Sequence, residues 1–300
     1  MRDASKLHEN YMEKLLLDLV DKPDLRPLAS LIRDVRVAAP DATVLLVGAM
    51  ARDVHLLHAY GIALPRLTTD IDLALAVEDW GAFQKLRDAL LASGAFSPKN
   101  KVQHKLVYTP LNIAIDLVPF EGVEDANGNI SWPPDNAEVM SLTGYREACA
   151  SAVTVRLPLD QSLEMVSLPM LAVLKILAWI ERHLTEPRKD ARDLDAILRN
   201  YFNAGNADRL NTEALHLLDN PTYDYEFSGA WMCGRDARNT LDAVSDRAAK
   251  IVAQLNNMLD KETDPDGVLH YVGELESGNP DKARNLLAAF AAGFNLKPTP

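Results

Sequence analysis

The sequence predicts an α+β fold, in which an N-terminal domain with a mixed β-sheet flanked by helices precedes an α-helical C-terminal domain. Short apolar runs rich in β-branched residues alternate with helix-like patterns up to about residue 165. After Pro169, every predicted element has helical periodicity. The chain has 300 residues, 48% of them hydrophobic, which is enough for a sizeable core. We place the domain boundary near Leu159, so that the domains are 1–159 and 160–300.

The N-terminal elements follow from the spacing of apolar residues. In chain order they are helices at 7–20 and 25–37, a buried strand at 43–47, a helix at 50–60, a strand at 69–77, a helix at 78–93, and antiparallel strands at 104–108 and 111–120. Gly61 is expected to cap the C-terminal end of the helix at 50–60. The stretch 122–135 is predicted to be a loop, and short strands around residues 139, 153 and 165 are predicted to complete the sheet.

The C-terminal domain is predicted to contain helices at 170–183, 189–203, 207–218, 237–260 and 281–294, followed by a frayed tail.

Composition and charge exclude several classes of protein. The net charge of −12 means that no overall positive field attracts nucleic acid or an anionic membrane. The two cysteines, Cys149 and Cys233, are far apart and predict neither a zinc site nor redox chemistry. The N-terminus lacks the pattern of a signal peptide, and the longest apolar run, 168–179, is too short to cross a bilayer. We therefore expect a cytoplasmic protein without a membrane partner.

Two aspartates on the strand at 69–77 are candidate metal ligands. Asp70 and Asp72 alternate along the strand and so lie on one face of it. Enzymes that transfer phosphoryl or nucleotidyl groups often hold two divalent ions about 3.5–4 Å apart between carboxylates. Oxygen ligands without neighbouring His or Cys favour Mg²⁺ or Mn²⁺. The alternative is that the pair forms the acidic face of an exposed edge strand.

The neighbouring motifs favour the metal site. Gly48 stands where a strand meets a helix, and the free N–H groups of a helix start can receive a phosphate. Asp116 lies on an apolar strand, opposite in direction to Ile115 and Leu117. A third carboxylate there could complete one metal site and accept the proton of an attacking hydroxyl.

Four motifs in this order resemble the DNA polymerase β-like nucleotidyltransferase core of AbiEii-type (MenT-like) toxins. They are V-G-A-M-A-R-D at 47–53, R-L-T-T-D-I-D-L at 66–73, I-D-L-V-P at 115–119, and a helix with Lys175, Ala178 and Arg182 followed by K-D-A-R-D-L at 189–194. The resemblance covers roughly residues 44–198, and the helices after Tyr201 match only loosely.

The resemblance implies specific roles for these residues. It implies that Asp70 and Asp72 bind both metals, and that Asp116 binds the metal nearer the acceptor. The other implied contacts are with the nucleotide: the backbone at Gly48 and Ala49 holds the triphosphate, Lys175 meets its outer phosphates, and either Asp190 or Asp193 corresponds to the final acidic motif. Ala49 departs from the second glycine of the family and lacks the freedom of glycine at positive φ, so we expect an altered phosphate-binding turn.

Two cations have structural alternatives to a phosphate contact. Lys175 could extend over the core with its ammonium in solvent, but no acidic residue lies three or four positions away, which favours the phosphate role. Arg66 contacts phosphate, pairs with Asp70 or orients the turn.

Other charged groups are expected to be structural. Arg52 and Asp53 read as an ordinary surface pair on the helix at 50–60, and His55 and His58 as packing or solvent-facing residues without a third metal ligand. The charges at 189–193 could also stabilise a helix start.

The leading hypothesis is a metal-dependent nucleotidyltransferase that moves a nucleotide from an NTP to an RNA acceptor. The resemblance alone implies a tRNA 3′ end as the acceptor and a toxin with a cognate antitoxin, in a toxin–antitoxin or phage-defence pair. A second hypothesis keeps the chemistry and takes a small molecule such as an aminoglycoside, or a protein hydroxyl, as the acceptor. A third, suggested by Ala49, is a catalytically silent nucleotide-binding or partner-binding module.

Overall fold

The computed structural model describes residues 16–100, 102–182, 185, 188–219, 224–244, 248–259 and 279–295. Its strands are β1 (Leu16–Asp18), β2 (Thr43–Val47), β3 (Asp70–Val77), β4 (Phe96–Pro98), β5 (Lys105–Tyr108), β6 (Ile113–Glu121), β7 (Asn129–Ser131), β8 (Val139–Ser141), β9 (Val153–Leu157) and β10 (Gln161–Met165). Its helices are α1 (Arg26–Ala38), α2 (Gly48–Asp53), α3 (Trp80–Ala92), α4 (Tyr145–Ala150), α5 (Leu168–Arg182), α6 (Lys189–Asn200), α7 (Leu210–Glu213), α8 (Tyr225–Val244), α9 (Ala248–Leu259) and α10 (Pro280–Phe294).

Eight strands form one mixed sheet, in the order β1-β9-β10-β2-β3-β6-β5-β4. The central strand β3 is antiparallel to β2 and parallel to β6, and β5 is antiparallel to β6. The two faces of β3 differ as the alternation predicts, since Ile71 and Leu73 are buried in the core. The α+β prediction, a mixed sheet with helices and then a helical C-terminal region, is confirmed.

The predicted helix at 7–20 is wrong where the structure describes it. Residues 7–15 lie outside the described residues, and Leu16–Asp18 form β1, which pairs in parallel with β9. The edge of the sheet offers hydrogen bonds to this segment, and such pairing overrides a local helical pattern. The next predicted helix is confirmed as α1.

The loop predicted at 122–135 contains the short strand β7, which pairs with β8 in a separate two-stranded sheet. β8, predicted around Val139, therefore does not complete the main sheet, whereas β9 and β10 do. β10 ends at Met165, beyond the boundary that we place near Leu159, and the division into domains stays a prediction.

Three predicted C-terminal helices differ from the observed ones. The helix predicted to end at residue 203 ends as α6 at Asn200, and a wide turn follows in which Gly205 has a φ of 81°. The segment 207–218 is broken into short turns around α7. The helix predicted to start at 237 begins at Tyr225, because the Asp224 carboxylate accepts the Phe227 N–H and caps it.

The helical region packs onto the sheet through the hairpin of α5 and α6. Nine of the 15 residues of α5 are buried, and both helices contact α2 at the end of β2. This packing carries the start of α6 to the end of β2 and the first residues of β3, where Asp70 and Asp72 lie. Among the described residues, no helix combines the length and apolarity required to cross a membrane.

Candidate active site

One row of residues crosses four neighbouring strands at the site. Val47 of β2 is the partner of Asp72 on β3, Asp72 that of Asp116 on β6, and Asp116 that of Lys105 on β5. Paired residues on adjacent strands lie about 5 Å apart. Gly48 follows Val47 directly, so the row brings together the glycine and two of the three predicted carboxylates.

Gly48 leaves the space that the Asp72 side chain occupies. Its φ is 71°, and a Cβ atom at this position would overlap the Asp72 carboxylate. The next residue, Ala49, is helical and does not have a positive φ. Of these two residues, only Gly48 has the conformation that needs glycine, and the altered turn expected from Ala49 stays a prediction.

Asp72 has the charges of the two other carboxylates, Asp70 and Asp116, nearby. Burial raises its pKa to about 6, and the nearby charges of Asp116 and Asp70 add to that effect. Lys175 and Lys189 act in the opposite direction. A carboxylate in this position is neutralised readily by a cation or a proton.

The other two carboxylates are held by neighbouring donors. The Thr68 hydroxyl donates to Asp70 Oδ1. Burial opposes ionisation of Asp70, but the Thr68 hydrogen bond and the charge of Lys189 outweigh it and lower the pKa. Asp116 Oδ2 lies 3.4 Å from Lys105 Nζ.

The donor set fits a hard divalent cation, although its side chains are not gathered around one point. Within the described part of the chain, no three His, Cys, Asp or Glu side chains are placed to surround one ion. Asp70 and Asp116 instead turn to Thr68 and Lys105. Asp72 and Asp116 are paired on adjacent strands, and carboxylate oxygens are the ligands that Mg²⁺ or Mn²⁺ prefers.

Lys175 is buried and paired with two aspartates of α6. Its Nζ lies 3.2 Å from Asp190 Oδ1 and 2.6 Å from Asp193 Oδ2. Burial alone would lower the pKa of this ammonium, but Asp193 and Asp190 raise it above its ordinary value. The phosphate role was favoured because no acidic residue lies one helical turn from Lys175 on its own helix. Its partners lie on α6 instead, and the phosphate role stays a prediction.

Asp190 and Asp193 face different surroundings. Asp190 also accepts two hydrogen bonds from Arg182, at 2.7 Å and 2.9 Å. Asp193 instead pairs with Arg52. Burial opposes ionisation of Asp190, yet the Arg182 hydrogen bond and the Lys175 charge lower its pKa. The two aspartates thus anchor α6 to α5 and to α2.

The surface pair predicted at Arg52 and Asp53 is wrong, because both side chains are buried. Arg52 is 6% exposed and joins Asp53 to Asp193. Asp53 also accepts the Thr68 N–H at 2.8 Å, and Arg52 donates to the Arg66 carbonyl. Sequence reasoning missed this pair, which fixes the turn before β3 to α2 and α6.

Arg66 itself is exposed, and its charge contributes to the lowered pKa of Asp70. His55 is buried and its Nε2 lies 2.9 Å from the Val166 carbonyl. Burial lowers the pKa of His55 to about 4, as expected for a packing residue that stays neutral.

Two cavities adjoin the three carboxylates. The larger, of about 720 Å³, borders Asp70, and its charged lining includes Arg66, Arg192 and Arg199. The smaller, of about 230 Å³, borders Asp72 and Asp116. Gly48, Lys105, Lys175 and Asp190 line the smaller cavity, whereas Ala49, Arg52, Thr68 and Asp193 line the larger one. Of the described residues around these cavities, Lys189 alone borders both.

The chain is similar to a known protein family and to a solved structure. The family model described as "Nucleotidyl transferase AbiEii toxin, Type IV TA system" matches residues 31–219. No curated protein matches the sequence. A matching solved structure is the solution structure of the antibiotic-resistance factor ANT(2'')-Ia, with 14% identity and a TM-score of 0.37 over 64% of this chain and 97% of that one. A likeness of this size carries no argument.

Proposed function

Because the chain belongs to the AbiEii nucleotidyltransferase toxin family, we propose that it transfers a nucleotide from an NTP to an RNA acceptor, at a tRNA 3′ end. The row of Gly48, Asp72 and Asp116, with Asp70 beside it, is the observation that carries the proposal. The family is one of type IV toxin–antitoxin systems, which implies an antitoxin partner. The RNA acceptor and the metal are parts of the proposal.

The proposed reaction is a displacement at the α-phosphorus of the NTP. The acceptor hydroxyl oxygen forms a bond to phosphorus, the bond to the oxygen that bridges the α- and β-phosphates breaks, and pyrophosphate leaves with that electron pair. Asp116 accepts the hydroxyl proton. When bound, Mg²⁺ or Mn²⁺ supplies charge neutralisation, and Asp70, Asp72 and Asp116 would hold it.

The larger cavity suits the NTP. Its volume of about 720 Å³ falls within the range of nucleotide-sized ligand sites. Arg66 and Arg192 line it, and guanidinium groups can bind phosphate oxygens in pairs, whereas Arg199 is paired with Asp195 and Glu226. Ala49 also lines it, which supports a contact between the backbone after Gly48 and the proposed triphosphate.

The smaller cavity suits the acceptor hydroxyl, since Asp116 lines it. Four basic residues line it as well: Lys105, Lys175, Arg182 and Lys189. We expected a strongly negative groove without Lys or Arg if the acceptor were a cationic drug. The lysines and the arginine stand beside Asp72, Asp116, Glu138 and Asp190, so the smaller cavity is not such a groove.

The test is transfer of label from each of the four NTPs, α-³²P-labelled, to total RNA and to purified tRNA, with and without Mg²⁺. We expect Mg²⁺-dependent labelling of RNA by the wild type and at least about a 10²-fold loss in Asp70→Ala and in Asp116→Ala. Asp41→Ala is the matched control, because Asp41 is an exposed aspartate beyond the opposite end of β2.

Three outcomes would overturn the proposal. Labelling of an aminoglycoside or a protein in place of RNA would show that the acceptor is not RNA. Binding of an NTP without any transfer would indicate a silent module. Labelling that survives Asp70→Ala would place the chemistry elsewhere.

A further inference from the structure

We propose that Lys189 contacts the phosphate being transferred, at the junction between the two cavities. The inference rests on the proposed function and adds a catalytic residue to it. Lys189 is the first residue of α6 and its side chain is half-buried.

The position of Lys189 follows from the lining of the cavities. It borders the larger cavity together with Asp70, and the smaller one together with Asp72 and Asp116. In the proposed reaction, the NTP and the acceptor occupy different cavities and meet at the α-phosphorus. A side chain that borders both cavities beside the carboxylates is therefore placed where the two substrates meet.

The charge of Lys189 already acts on the carboxylates. It is among the causes that lower the pKa of Asp70, and it opposes the rise in the pKa of Asp72. The lysine therefore lies within electrostatic range of the carboxylates that are proposed to hold the metal.

The neighbouring lysines of the smaller cavity are already engaged. Lys175 is held between Asp190 and Asp193, and Lys105 lies beside Asp116. For Lys189, by contrast, no hydrogen bond or ion pair occurs with any other residue in the described ranges. Its ammonium, which has three donors and no acceptor, needs an anionic partner that a phosphate oxygen would provide.

The chemical role is stabilisation of charge on the transferred group. In the transition state, negative charge lies on the non-bridging oxygens of the α-phosphate, between the entering acceptor oxygen and the leaving pyrophosphate. The Lys189 ammonium donates a hydrogen bond to one of these oxygens and keeps its proton throughout. Such a contact strengthens in the transition state and affects turnover more than nucleotide binding.

The test compares Lys189→Ala and Lys189→Arg with the wild type, under the transfer assay described above. We expect Lys189→Ala to lower kcat by about 10²-fold or more, and to change the affinity for an α,β-methylene NTP, measured by calorimetry, by less than about threefold. We expect Lys189→Arg to recover part of the lost kcat, because it keeps the charge. Lys85→Ala, which removes an exposed lysine on α3 that lines neither cavity, is the matched control.

The outcomes separate this inference from the proposed function. Transfer by the wild type with an unchanged kcat in Lys189→Ala overturns the role of Lys189 alone. A loss confined to nucleotide affinity also overturns it, because it would indicate binding of the NTP without contact to the transition state. No transfer by the wild type to any acceptor overturns the proposed function and this role with it.

Discussion

Asp72→Asn is expected to make the protein more stable and inactive at the same time. Burial raises the pKa of Asp72 from 3.8 to about 6, so at neutral pH the ionised carboxylate costs the folded chain about 3 kcal/mol relative to the unfolded chain. An asparagine has nearly the same shape and no charge to desolvate. Without a metal, the substitution should therefore raise the free energy of unfolding by up to about 3 kcal/mol.

The effect has a defined dependence on pH. Between about pH 4 and pH 6, the folded chain binds more protons at Asp72 than the unfolded chain does, so the stability contributed by this site falls as the pH rises. Below pH 4 the carboxyl is protonated in both states, and the variant and the wild type should have similar stability. The difference should grow through this window and level off above about pH 7.

The assay is urea unfolding of both proteins at several pH values, in the presence of a chelator. Asp70→Asn is the matched control with the opposite sign, because the pKa of Asp70 is lowered and its ionised form stabilises the folded chain. Adding Mg²⁺ should stabilise the wild type and leave Asp72→Asn unchanged. The reasoning is refuted if Asp72→Asn is less stable than the wild type at pH 7.5 in chelator, or if the difference does not vary with pH.

Three further substitutions test other parts of the site. Gly48→Ala should abolish transfer and the stabilisation by Mg²⁺ while the chain still folds, because the added Cβ displaces the Asp72 carboxylate; a fully active variant would contradict the close approach. Lys175→Met should lower the free energy of unfolding by about 3–5 kcal/mol in urea, because it leaves buried carboxylates without their shared cation, whereas Lys85→Met should change it by less than about 0.5 kcal/mol. Asp53→Ala should weaken NTP binding in calorimetry, since it releases Thr68 from α2, and unchanged affinity would show that this turn does not position the nucleotide.

The parts of the fold with strong local signals could be predicted from the sequence. β2 and β3 combine apolar runs with flanking turns, and their bounds were predicted to within one residue. The face of β3 that carries Asp70 and Asp72 followed from alternation alone. β1 could not be predicted, because the strand with which it pairs is β9, more than 130 residues later. Pairing of that kind is not encoded in the periodicity of either segment.

The register between strands was also outside the reach of local pattern. Nothing in the sequence aligns Asp72 with Asp116, which are 44 positions apart, and a shift of one residue would turn Asp116 to the other face of the sheet. The third carboxylate was identified through motif resemblance, and the paired register supplies the geometry that the resemblance only implied.

Ion pairs between different helices could not be predicted from local sequence patterns either. The rule that cations on helices seek acids three or four positions away left Lys175 without a partner, yet its partners lie on the next helix. Arg52 and Asp53 were predicted to be a surface pair, although Arg52 is buried and also reaches Asp193. Both errors come from one cause: the α5–α6 hairpin folds back onto α2, and this packing satisfies the buried charges on all three helices. Lys189 belongs to the fourth motif of the resemblance, but only this packing brings it beside the carboxylates at the junction of the two cavities.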